Sequence, residues 1–363
     1  MKRIGIVQVG FGTVGGALLE QLAAHRQLWR DRHGLDIQVD AVAGRTGNLV
    51  APGTEGFSGD ALRDIAHRRR TPESDPQTFT SGNPLDVPLA SDADRIVLDA
   101  AAGDKTADLH VRALEQGYGV VLSNKAPLAL PVNDPRTATL WSQHGTGGRM
   151  RYEATCGAGL PVISSILSLL DTGDEVIEIT GALSGTFGAI FSDVAAGIPF
   201  SRAVRSARER GFTEPDPRDD LSGLDVARKA LILARTIGRD ADLADIAVHS
   251  LVPEALADLD LDAYLAGLDI QDAEIGQMGS EAAGVGASLK YIATVPAEGP
   301  IEVGLRYVPA TTVLGALQGP ENIVSVRTNR YDQYPLVISG PGAGAAVTAA
   351  GMVADMLSLA RQL

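Results

Sequence analysis

The sequence predicts an α/β protein in which a Rossmann-type, doubly wound parallel sheet is joined to a second, α+β domain for substrate binding and dimerisation. Three observations predict it. A short β-branched run at the start enters a glycine-rich turn and then a helical pattern. Further short apolar runs alternate with helical stretches as far as about Gly148, and beyond that the alternation gives way to a less regular mixture.

The first strand is Ile4 to Val9. It runs into Gly10-Phe11-Gly12-Thr13-Val14-Gly15, and Ala17, Leu18 and Leu22 then follow at helical spacing. A dinucleotide loop needs one glycine to turn sharply, one to let the backbone approach a pyrophosphate and one to let helix and strand pack closely. Gly10, Gly12 and Gly15 fit, and their place between strand and helix favours the cofactor over a plain tight turn. Further strands fit Ile37–Ala43, Arg95–Ala100 and Gly119–Ser123, with a helix over Ala107–Gln116. The run Arg68-Arg69-Arg70 and the Pro-, Ser- and Thr-rich stretch from Thr71 to Pro84 read as a solvated helix end and a surface loop. At the other end, Gly340-Pro341-Gly342-Ala343-Gly344 reads as a turn into a last apolar helix. A chain of 363 residues exceeds one core, and the expected division is 1–148 plus 340–363 for the dinucleotide domain and 149–339 for the second.

Composition excludes several classes. With 45 acidic and 31 basic residues the net charge is −14, a field that repels nucleic acid and anionic membranes but leaves room for a locally held small anion. Cys156 is the one cysteine, which rules out an intramolecular disulfide and a cysteine-rich zinc site and fits a reducing compartment. No apolar run approaches the roughly 18 residues of a membrane span, and Met1–Val9 is unlike a secretory signal, so the expectation is a cytoplasmic protein.

The second strand ends Ala43-Gly44-Arg45, with arginine where an NAD site usually has an acid. Asp40 lies inside the strand. NADP is therefore favoured over NAD, against the alternative that Arg45 is a solvated loop residue. The stretch from Glu214 to Lys229 carries more. Its prolines predict an extended start and a helix from near Ser222, where Ser222 and Asp225 have capping-box spacing. Asp225 and Lys229, four apart, share a helix face, and Lys229 borders the apolar arc of Val226, Ala230, Leu233 and Ile237. Partial desolvation would lower its proton affinity, while Asp225 would hold it charged and oriented. Spacing alone suits a structural salt bridge as well as a proton-transfer lysine.

The run Glu214-Pro215-Asp216-Pro217-Arg218-Asp219-Asp220-Leu221-Ser222-Gly223-Leu224-Asp225-Val226-Ala227-Arg228-Lys229 resembles the signature of homoserine dehydrogenases. So, in the family's order, do Asn124-Lys125, Tyr152 to Pro161, Ser184-Gly185-Thr186, Ser250 to Glu254 and Gly342-Ala343-Gly344, which together cover nearly the whole chain. The resemblance implies interconversion of L-aspartate-4-semialdehyde and L-homoserine with NADP or NAD, a step in threonine, methionine and isoleucine biosynthesis. It implies Lys229 as the proton-transferring lysine, Asp225 as its partner, Lys125 at the junction of nicotinamide and substrate, and Glu214 and Asp220 around the substrate's amino acid end. It also puts Ala101 and Gly344 at the cofactor and a monovalent cation, often sodium, on the backbone carbonyls of Glu153, Cys156, Ala158 and Leu160.

A homodimer without aspartate kinase or regulatory domain is expected, and so no threonine control on this chain. Two stretches depart from the family pattern: Phe187-Gly188-Ala189-Ile190 and Ala100-Ala101-Ala102-Gly103, both expected near the cofactor or substrate surface. They keep open a reductase acting on another small hydroxy or semialdehyde acid, and a dinucleotide-binding sensor without turnover is the rival of a different class.

Overall fold

The computed structural model describes residues 1–45, 47–68, 79–87 and 93–363. They form two compact units, Met1–Pro161 with Ala343–Leu363, and Val162–Gly342.

In the first unit the elements run β1 (Lys2–Val9), α1 (Thr13–His33), β2 (Leu35–Ala43), β3 (Asn48–Val50), α2 (Gly59–Arg68), β4 (Phe79–Thr80), β5 (Asp94–Asp99), α3 (Ala107–Glu115), β6 (Gly119–Leu122), α4 (Pro135–Ser142) and β7 (Met150–Arg151). The seven strands are ordered β4-β3-β2-β1-β5-β6-β7. From β2 to β7 each neighbouring pair is parallel, as the alternating pattern predicts, while β3 and β4 join one edge antiparallel.

Strands covered on both faces can be apolar throughout, and Ile4, Ile6, Ile96, Leu98 and Val121 are fully buried. Leu18, Leu19 and Leu22 of α1 pack into the same core, as do Met352, Met356 and Leu359 of the C-terminal helix Ala345–Gln362. Each such side chain contributes roughly 1.5–3 kcal/mol on burial. Gly34, left-handed at φ 66°, ends α1 and returns its amide to Arg30 and Trp29 carbonyls.

Three expectations are corrected here. The stretch read as a surface loop contains β4 and a short 3-10 turn at Pro84–Asp86, and Arg69 to Thr78 lies outside the described residues. The first unit extends to Pro161 rather than to about Gly148, because 153–160 packs on the C-terminal helix. The Glu153 amide donates to Asp355 Oδ2 at 2.8 Å, and a methyl at Gly159 would lie 2.6 Å from the Val347 carbonyl oxygen. Gly340 and Pro341 are not part of a turn but end a strand, opposite Asn322 and Glu321.

The second unit begins with α5 (Val162–Asp171), β8 (Val176–Ala182), α6 (Gly185–Ala195), α7 (Phe200–Glu209), α8 (Pro217–Leu221) and α9 (Leu224–Thr236). Strands β9 (Ile246–Val248), β10 (Ala287–Pro296), β11 (Ile301–Pro309), β12 (Glu321–Thr328) and β13 (Leu336–Pro341) complete it. The sheet order is β13-β12-β8-β10-β11-β9, antiparallel except for β11 with β9. Tyr291 of β10 stacks on Phe187 of α6, ring centroids 3.7 Å apart and 15° from parallel. That stacking accounts for one departure from the family pattern. Phe187, Ala189 and Ile190 are interior, and Gly188 leaves room for the Gly319 carbonyl, which would lie 2.5 Å from a methyl there. This stretch is packing rather than the ligand-facing surface the sequence suggested.

Candidate active site

In the first unit the three loop glycines have separate steric reasons. Gly10 is left-handed at φ 84°, and a methyl on it would sit 2.7 Å from the Ala101 nitrogen. A methyl on Gly15 would come within 2.2 Å of the Gly10 carbonyl oxygen, whereas one on Gly12 would meet no atom within 4 Å among the described residues beyond its chain neighbours. Gly12 therefore borders open space. Gly12 is also the N-cap of α1 and no side chain caps the helix, so the amides of its first turn, from Thr13, Val14 and Gly15, face an end that suits an anion.

The Gly10 amide donates to the Ala43 carbonyl at 2.8 Å and ties the loop to the tip of β2. There the Phe11 ring lies against Gly44, where a methyl would be 2.6 Å from Phe11 Cε1, and Arg45 follows, exposed. Asp40 is buried inside β2, its carboxyl pushed up to about 6 by burial against the opposing charges of Arg95, Arg3 and Arg26. Its position removes it as a ribose ligand at the strand tip.

At the end of β5 the buried Asp99 gathers the next loops. Its carboxylate accepts from the Ala101 amide (2.8 Å), Thr106 Oγ1 (2.7 Å) and Asn124 Nδ2 (3.1 Å), and His110 Nε2 lies 3.0 Å away. Burial alone would raise this carboxyl, but His110, Thr106 and the Ala101 amide together hold it below its ordinary value. The Ala101 amide is thus committed to Asp99 and is not free for the cofactor contact expected there. Asn124 Oδ1 accepts from the Ala126 amide at 3.2 Å, which fixes the backbone on both sides of Lys125. Asp99, Thr106 and His110 were not singled out as functional in the sequence, although an acid ending a strand seven residues before a threonine was a visible signal. Gly344, at φ 122°, is the exposed N-cap of the C-terminal helix.

Glu153, Cys156, Ala158 and Leu160 fall in one turn. Gly157 has φ 103° and Ala158 φ 56°, the one non-glycine in the left-handed region among the described residues. Hard carbonyl oxygens are the donor set an alkali cation takes. Beside them the carboxyls of Glu153 and Asp355 are both buried, and burial together with the charge of Glu153 pushes Asp355 up to about 8. Cys156 Sγ is fully buried and contributes packing.

In the second unit, α9 begins at Leu224, close to Ser222 as expected, but with Gly223 rather than Ser222 as its N-cap. Gly223 is left-handed at φ 74°, and a methyl there would lie 2.1 Å from the Tyr291 hydroxyl. Ser222 instead follows the short α8, which the sequence had read as extended and which Asp216 caps through the Arg218 amide at 3.0 Å. The Ser222–Asp225 capping box does not form. Lys229 is 8% exposed; its Nζ lies 2.9 Å from Asp225 Oδ2 and donates to the Leu183 carbonyl at 2.7 Å.

Asp220 is joined to Glu214 through the Glu214 amide at 2.8 Å and to α6 through Thr186 Oγ1 at 2.8 Å. Its carboxyl is raised by burial, with those two hydrogen bonds opposing and the charge of Asp225 adding to the rise. The Glu214 side chain is exposed. Within this unit the structure thus brings Asp225 to Lys229 and Asp220 to the Glu214 backbone. Thr186 joins them unforeseen as a functional side chain.

Residues 10–146 match the family model for the homoserine dehydrogenase NAD binding domain, and residues 161–357 match that for homoserine dehydrogenase. The chain belongs to the homoserine dehydrogenase family. It is 33% identical to the homoserine dehydrogenase of Saccharomyces cerevisiae, over 100% of this chain and 99% of the yeast protein. It is 36% identical to the chloroplastic bifunctional aspartokinase/homoserine dehydrogenase 2 of Arabidopsis thaliana over 98% of this chain, but spans only 38% of that protein's length. A putative homoserine dehydrogenase from Archaeoglobus fulgidus superposes with a TM-score of 0.74 at 26% identity, covering 98% of both chains. The glycine loop of the first unit lies within the stretch that matches the NAD binding domain model.

Proposed function

We propose that this chain interconverts L-aspartate-4-semialdehyde and L-homoserine, using NADPH in preference to NADH. The observation that carries the reading is the Lys229 ammonium, buried on α9 and held from two sides by Asp225 and the Leu183 carbonyl. Aldehyde reduction needs a hydride, which the nicotinamide supplies when bound, and a proton donor for the oxygen on which negative charge develops. Lys229 is that donor, and in the oxidative direction it takes the proton back. Asp225 keeps the lysine aimed. Asp220 and Glu214 hold the substrate's α-ammonium group, and Lys125, its backbone braced by Asn124, serves the junction of nicotinamide and substrate.

The test follows absorbance at 340 nm with semialdehyde plus NADPH or NADH, and with homoserine plus the oxidised cofactors. Cofactor binding without turnover on either substrate would favour the sensor, and turnover restricted to another hydroxy acid would favour a related reductase.

The cofactor preference rests on Arg45, exposed beside Gly44 at the tip of β2. Arg45→Asp should narrow or invert it, since the new carboxylate repels a 2′-phosphate. If the unmodified protein uses both cofactors equally and the substitution changes nothing, Arg45 leaves the site. Glu214→Gln should weaken use of homoserine and semialdehyde while sparing NADPH binding, and unchanged substrate parameters would return Glu214 to the role of a loop acid.

The cation reading predicts a lower melting temperature when tetramethylammonium replaces sodium, and an unchanged one would count against it. The cytoplasmic reading draws on the lone buried cysteine, and the homodimer on the family resemblance. Sedimentation at a monomer's mass would overturn the dimer. Among the described residues no helix is long and apolar enough to cross a membrane.

A further inference from the structure

One fully buried polar side chain in the first unit has no part in the roles above. Gln8, the penultimate residue of β1, is 0% exposed on a strand whose buried neighbours Ile6, Val7 and Val9 are apolar. Its Nε2 donates to the Gly10 carbonyl at 3.0 Å and to the Gly15 carbonyl at 2.9 Å. Those residues are the first and third glycines of the loop. The amide therefore bridges the two ends of the glycine turn from beneath, across the place where Gly15 already approaches the Gly10 oxygen. Its Oε1 is buried and finds no hydrogen-bond partner among the described residues.

These facts pull in opposite directions for stability. A buried acceptor without a partner is a cost, and an aliphatic side chain of the same size would avoid it. A glutamine here is poorly explained by packing alone. A peptide plane has its carbonyl on one side and the amide of the next residue on the other. Drawing the Gly10 carbonyl down onto Gln8 therefore turns the Phe11 amide to the opposite side, while the hold on the Gly15 carbonyl fixes the first turn of α1, where the Gly16 amide donates to the Gly12 carbonyl at 2.8 Å. Donors arranged before the ligand arrives spare the ordering cost at binding.

We propose that Gln8 is a positioning residue that preorganises the glycine loop for the cofactor's pyrophosphate by holding the Gly10 and Gly15 carbonyls together. The inference rests on the dinucleotide reading of that loop. It acts through backbone atoms, so Gln8 itself need not touch the cofactor.

The experiment compares the unmodified protein with Gln8→Leu, which keeps the bulk and removes the donors, and with Gln8→Met as an unbranched second variant in case leucine prevents folding. NADPH affinity is measured by fluorescence titration, melting temperature on the same preparations, and hydrogen exchange of the amides of residues 10–16 without cofactor. Loss of two hydrogen bonds that act on the bound geometry should weaken NADPH about tenfold, equivalent to ~1.4 kcal/mol. The KM for NADPH should rise with it, kcat at saturating cofactor should stay within about twofold, a margin of ~0.4 kcal/mol, and the loop amides should exchange faster. A structural glutamine predicts the reverse pattern, in which melting temperature falls while affinity and loop exchange stay as they were, and that result overturns the proposal. If the unmodified protein binds neither NADPH nor NADH, the dinucleotide reading fails by itself. Loop exchange in the two variants then still decides whether Gln8 orders the turn.

Discussion

Lys229→Ala should lower turnover by about 10² to 10⁴-fold, the usual contribution of a positioned general acid, while the folded protein keeps its affinity for NADPH. The size of the effect follows from the geometry. The ammonium is almost fully buried and fixed by Asp225 at 2.9 Å and the Leu183 carbonyl at 2.7 Å, so alanine removes a donor held in one place. Asp225→Asn should act in the same direction and more weakly, because the lysine keeps its carbonyl acceptor but loses the charge that orients it. A purely structural ion pair predicts something else: both variants melt earlier, and the folded fraction turns over normally. Melting temperature, NADPH titration and initial rates on one preparation of each variant distinguish the outcomes, and near-normal rates for folded Lys229→Ala would end the catalytic assignment.

Gly15→Ala should abolish most cofactor binding. The added methyl would lie 2.2 Å from the Gly10 oxygen and 2.9 Å from its carbonyl carbon, and both are backbone atoms that cannot rotate away as a flexible side chain could. The loop must open by the better part of an ångström, which would move the amides of the first turn away from a bound pyrophosphate. Stability should fall as well, by about 1–3 kcal/mol, as overpacked positions do. Gly12→Ala is the informative contrast, since among the described residues its methyl meets no atom within 4 Å beyond its chain neighbours. That variant should melt close to the unmodified protein and still bind NADPH poorly, because the methyl projects into space the pyrophosphate would use. Equal NADPH affinity in Gly15→Ala and the unmodified protein would remove this loop from the cofactor site.

Much of this protein was legible in the sequence wherever the governing rule is local. The strand, glycine turn and helix from β1 into α1 follow from apolar spacing and from glycine's tolerance of left-handed backbone, and the parallel strands follow from repetition of that unit. The pairing of Asp225 with Lys229 needs only a helix and a separation of four.

Tertiary structure decided what depends on partners far along the chain. The start of α9 near Ser222 was legible, but its N-cap is Gly223 rather than Ser222, because the Tyr291 hydroxyl, packed where a side chain at Gly223 would go, admits only glycine there. The reach of the first unit to Pro161 depends on Asp355 receiving the Glu153 amide across 202 residues, an interaction no local pattern announces. Burial of Lys229 likewise depends on the Leu183 carbonyl, and the interior place of Phe187 on Tyr291. Spacing along a sequence determines which side chains share one face of one element; which atoms close over that face is settled by packing between elements, and there the physical partner is distant in sequence and near only in the fold.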